Sequence, residues 1–133
     1  MEFEYGKRWF VRANAIDRQI WELEDEIKAY ESCLECAGMS YDKINVVKSP
    51  ENHFERVMCD IADCFSKIQE LNLKKMEVLR EINSALNQLE DCPERYVLRA
   101  FYVNHKSMKD IADKIGYEEH YCYELRKKGI ERL

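Results

Sequence analysis

The amino-acid sequence predicts an all-α chain. A long, coiled-coil-like antiparallel helical hairpin is expected over residues 1–91, then a C-terminal trihelical helix-turn-helix domain over residues 92–133. Three observations predict this. Only four Gly and two Pro occur in 133 residues, alongside abundant Glu, Lys, Leu and Ile, so few helix breakers are present. Apolar residues recur at alternating spacings of four and three over two long stretches, the rhythm of helices that pack along a seam. Ser107 to Leu133 shows a short and a longer helical pattern joined at a glycine corner.

Residues 1–8 read as a short polar lead. From Trp9 the first seam runs through Ala13, Ile16, Ile20, Leu23, Ile27, Tyr30, Leu34 and Ala37, which predicts a helix over 9–37. Gly38 suits the left-handed residue just past its end. Met39 to Glu51 is the connector, with Ser49 as N-cap and Pro50 at the first helical position. The second seam is Phe54, Met58, Ile61, Phe65, Ile68, Asn72, Lys75, Leu79, Ile82, Leu86 and Leu89, predicting a helix over 51–90. Asn72 and Lys75 interrupt it. Either Leu71 and Met76 take over through a local phase shift, or a buried Asn72 fixes the register. Trp21, Val57, Leu73 and Val78 fall off the seams and are available to pack on the C-terminal domain or on another subunit, and a homodimer built mainly by residues 9–90 is expected.

Asp91 to Glu94 is the joint, with Asp91 or Cys92 as cap and Pro93 opening a helix to about Val103. Val97, Leu98 and Tyr102 supply its core face. Ser107 caps the next helix with Asp110 as its acidic partner. Ile111, Ala112 and Ile115 are its apolar side, and Gly116 takes the chain out of it. The last helix begins at Glu118 or Glu119 and turns Cys122, Leu125, Gly129, Ile130 and Leu133 inward.

Composition narrows the function. No apolar run approaches the roughly 18–20 residues of a membrane span, and no apolar segment of a signal peptide follows Glu2 and Glu4, so a cytoplasmic protein is expected. The sequence holds no Gly-rich phosphate loop, His cluster or nucleophile–base pairing, and its three His are scattered. Neither an enzyme, a cofactor nor a small-molecule substrate is expected. Cys33 with Cys36 and Cys59 with Cys64 have the count for structural zinc. They lie at helical spacings rather than in knuckles, so free thiols and no metal are expected. The net charge of −5 is unevenly spread. Residues 93–133 hold nine Lys/Arg against seven Asp/Glu, net +2, and residues 1–92 hold twelve against nineteen, net −7. The cationic part is the helix-turn-helix, as double-stranded DNA requires of a partner.

Tyr102 to Ser107, Asp110-Ile111-Ala112, Ile115-Gly116-Tyr117 and Gly129 to Leu133 resemble region 4 of bacterial sigma factors, over roughly Glu94 to Leu133. His105 stands where that family usually has Gly, Phe101 where it often has Arg, and Glu118-Glu119 where a hydroxyl and a basic residue are usual. The resemblance implies the fold, not sigma-type promoter specificity. The whole layout, with Val46-Val47-Lys48-Ser49-Pro50 between the helices, is similar to small phage and prophage proteins of Gram-positive bacteria related to ArpU/RinA-type late-gene regulators. That likeness implies a cytoplasmic DNA-binding transcriptional regulator, with RNA polymerase as a further partner.

In such a domain the second helix reads the major groove. Glu119, His120, Tyr123, Glu124 and Lys127 lie opposite its apolar side and are the base-edge candidates. Glu119 or Glu124 suits a cytosine amine, and His120 or Lys127 suits guanine. Arg99, Lys106, Lys109 and Lys128 are the phosphate candidates. Two other readings compete: a DNA-packaging recognition subunit like the small terminase proteins of phages, and a coiled-coil module that binds protein through the acidic hairpin.

Overall fold

Glu2 opens the first helix. Its carboxylate accepts from the backbone N–H groups of Glu4 and Tyr5, both at 2.9 Å, and these bonds hold the carboxyl below its ordinary pKa. The helix that follows, α1 (Phe3–Phe10), lies where the sequence suggested only a polar lead. Its inward residues Gly6 and Phe10 fall one turn apart. The computed structural model describes residues 1–36 and 48–133, with the backbone alone for 48–52. The remaining elements are α2 (Arg12–Cys36), α3 (Lys48–Leu86), α4 (Pro93–Leu98), α5 (Met108–Ile115) and α6 (Glu119–Glu131). Every element among the described residues is helical, so the all-α expectation holds. Ala37, Gly38, the connector to 47 and the Ser49–Pro50 cap side chains fall outside the description.

Two compact units are present, Met1–Ala15 with Lys75–Leu133, and Ile16–Lys74. The division does not coincide with a boundary at 91/92, because α1 and the end of α3 pack with the C-terminal helices.

In the second unit α2 and α3 share a core of Ile27, Leu34, Phe54, Ile61 and Cys64, with Leu23, Tyr30, Val57, Met58 and Ile68 around it. Leu23 and Glu26 share a cleft with Lys67 and Leu71, and Tyr30 lies near Asp60 and Cys64. Rising numbers on α2 therefore meet falling numbers on α3. Phe65, expected in the seam, is 53 % exposed, and Cys64 is buried instead. The seam steps three residues from Ile61 rather than four. It then follows Ile68 and half-buried Leu71, while Asn72 is exposed. Leu71 thus takes over as a phase shift requires, whereas Met76 stays exposed and no buried Asn72 sets the register.

In the first unit α4 is the spine. Leu98 joins Phe10, Ile82, Leu86, Leu89, Tyr102 and Ile130 in one cluster. Val97 joins Ala100, Met108, Ile111, Ala112, Cys122 and Leu125 in another. Pro93 sits at the start of α4 with Cys92 before it, though the Cys92 side chain makes no cap bond. After Leu98 the backbone widens into a π-helical turn, Arg99–Val103. The extra residue per turn lets Ala100 face one cluster and Tyr102 the other. Tyr102 stacks on Phe10 with ring centroids 4.9 Å apart, and its burial pushes the phenol pKa up, with Arg126 opposing. The helix expected to reach about 90 ends at Leu86. Leu89 is still buried, reached through tight turns.

Candidate nucleic-acid interface

The corner between α5 and α6 is built from local chemistry. Ser107 Oγ accepts from the Asp110 N–H at 3.2 Å and caps α5. Gly116 ends α5 with φ 78° and ψ 23°, and both its N–H and that of Tyr117 return to the Ala112 carbonyl. Glu118 is the N-cap of α6, which starts at Glu119.

Cys122, Leu125, Gly129 and Ile130 fix α6 to the rest of the unit. Gly129 is the point of closest approach. A Cβ there would lie 2.7 Å from Leu98 Cδ1 and 3.1 Å from Glu94 Cβ. Burial pushes the Cys122 thiol pKa up, and nearby Glu119 adds to it. With that side inward, all five base-edge candidates face solvent: Glu119, His120, Tyr123, Glu124 and Lys127. His120 Nε2 and Glu124 Oε1 are 3.3 Å apart, so two of them pair along the helix. Tyr123 lies beside Arg126, and Lys127 lies over the Phe3 ring at 5.8 Å.

The phosphate candidates divide. Lys106 and Lys109 are exposed at the start of α5, and Lys128 is exposed on α6 beside Tyr121. Arg99 is half-buried, and its guanidinium donates to Asn87 Oδ1 at 2.9 Å. Tyr117 and Tyr121 meet edge to face at 5.1 Å, with Lys128 5.9 Å from the Tyr121 ring.

Sequence reasoning missed three cations next to the same helix. Lys7 and Arg8 come from α1, and Arg126 from the flank of α6. The available signal was Glu2 as a cap, with Phe3, Gly6 and Phe10 on one helical face. Among the described residues, no group of three or more His, Cys, Asp or Glu side chains is gathered as a metal site would require, and no helix is long and apolar enough to cross a membrane.

A family model described as "Protein of unknown function (DUF1492)" matches residues 42–133. The match takes in α3 to α6, more than two thirds of the chain, and leaves out α1 and α2. No curated protein and no solved structure matches.

Proposed function

The chain belongs to the DUF1492 family, and we propose that it is a sequence-specific, DNA-binding transcriptional regulator of phage or prophage genes. In this reading α5, the Gly116 corner and α6 act as a helix-turn-helix, with α6 in the major groove. The observation that carries it is the solvent face of α6. Five side chains able to donate to or accept from base edges stand there, with Lys128 exposed on the same helix and Lys106 and Lys109 exposed at the start of α5. The helical hairpin formed by α2 and α3 then dimerises or contacts RNA polymerase. The packaging-subunit reading has no separate observation in its favour.

The test is selection of genomic fragments by the purified protein, followed by binding titrations on the enriched duplex. One motif should emerge. Glu124→Ala should alter the preference at one base pair by about 1–3 kcal/mol. Lys128→Ala should weaken all sequences alike and lower the salt slope by about one. Absence of binding to any duplex at low salt would falsify the reading. A protein-interaction module would then stand first, favoured by Trp21, Phe65 and Leu73, which are 58 %, 53 % and 63 % exposed on the acidic unit.

A further inference from the structure

The cleft where α1, the π-helical turn and α6 meet has a volume of 380 Å³. Its floor is aromatic, from Phe101 and Tyr102. Lys7, Arg8 and Arg126 line it against a single carboxylate, Glu4, which pairs with Lys7 at 3.1 Å. Three cations and one anion leave this small region positive in a chain whose net charge is −5.

Arg126 is held by rings rather than by a carboxylate. Its guanidinium lies over Phe3, Phe101 and Tyr123 at 5.4, 5.6 and 5.2 Å. Its Nε is buried and has no hydrogen-bond partner among the described residues. With Nε covered, the terminal nitrogens of this partly exposed side chain, kept in place by the aromatic faces, form a planar donor fork suited to a phosphate oxygen. Lys127, on the solvent face of α6, lies over the same Phe3 ring as Arg126 does, at 5.8 Å.

We infer that α1 is a third DNA-contacting element, with Arg8, Lys7 and Arg126 forming a seat for one backbone phosphate beside the groove read by α6. The inference rests on the DNA-binding reading and assigns it a contact that the α5–α6 corner does not supply. Lys7 and Arg8 also lie outside residues 42–133, so the seat is an addition of this chain to the part matched by the family model.

The experiment uses the full chain and a labelled duplex carrying the selected motif, titrated over a range of salt. Arg8→Ala sits on an exposed position, so the fold should survive. It should weaken every duplex by on the order of five- to tenfold at ~0.1 M salt and lower the salt slope by about one. Arg8→Lys should restore both, since a cation suffices at a phosphate. Arg18→Ala, an exposed cation on α2, should change neither. If wild type binds its motif and Arg8→Ala and Lys7→Ala leave affinity and slope unchanged, α1 is not at the DNA, and α6 remains the reader. A change of sequence preference in Arg8→Ala also defeats the inference, because a phosphate contact carries no base information. If wild type binds no duplex, both readings fall together.

Discussion

Gly129 stands where α6 meets α4 with no room for a methyl group. Alanine there would gain about 1 kcal/mol of helix propensity. It would also press on Leu98, which is fully buried, and on Glu94 Cβ, so packed side chains would have to shift. Overpacking of this kind costs about 1–3 kcal/mol, so Gly129→Ala should lower the denaturant midpoint despite the better propensity. His105 presents the opposite case. It has φ 54°, a left-handed conformation that costs a side chain about 1–2 kcal/mol. Glycine relieves that and loses about 0.5–1 kcal/mol through its freer unfolded chain. His105→Gly should therefore stabilise by up to about 1.5 kcal/mol, and a lower midpoint would show that His105 is held there favourably. This is also the position where the sigma-like pattern usually has Gly, so the sequence marked the site without showing its geometry. Thiol labelling offers a third check. Cys33, Cys36 and Cys59 are exposed, and Cys64 and Cys122 are buried with thiol pKa values pushed up by burial. Three fast and two slow thiols are expected, with Cys92 between them.

Long elements were easier to read than short ones. Ala13, Ile20, Ile27 and Leu34 are all buried in α2, as a simple four-three rhythm requires. The seam in α3 failed locally, because Phe65 and Cys64 both fit after Ile61 and hydrophobicity favours the aromatic. The neighbouring helix decided the matter by accepting the smaller side chain. Ile61→Ala should cost about 2–5 kcal/mol by leaving a cavity, whereas Phe65→Ser should stay within about 0.5 kcal/mol. Comparable losses for the two would mean that Phe65 is covered in solution. The end of α3 was illegible for another reason. Leu86 and Leu89 continue the rhythm whether the chain is helical or turning, so burial alone did not reveal the stop. The exposed face of α6 was legible because Cys122, Leu125 and Gly129 define the inward side unambiguously. Its flank at Arg126 was not, since nothing in α6 itself announces the aromatic rings that come to meet it.

For the whole molecule, charge and apolar surface point to different partners. Residues 16–74 hold seven Lys/Arg and thirteen Asp/Glu, so this unit is repelled by DNA and is free to present Trp21, Phe65 and Leu73 elsewhere. Dimers are expected in sedimentation at concentrations on the order of tens of micromolar, and Leu73→Ser should shift them toward monomers without loss of helix. A monomer unaffected by concentration would argue against that assembly. The docking of α1 on α6 was the least legible feature, because no local period tells an eight-residue helix where to go. It also has a temporal consequence. Gly6 of α1 packs against Ile130 of α6, so during synthesis α1 leaves the ribosome well before α6 and must wait for it before it can settle. Loop closure of that span makes its docking a late folding event, and until then the newborn chain carries Phe3 and Phe10 uncovered.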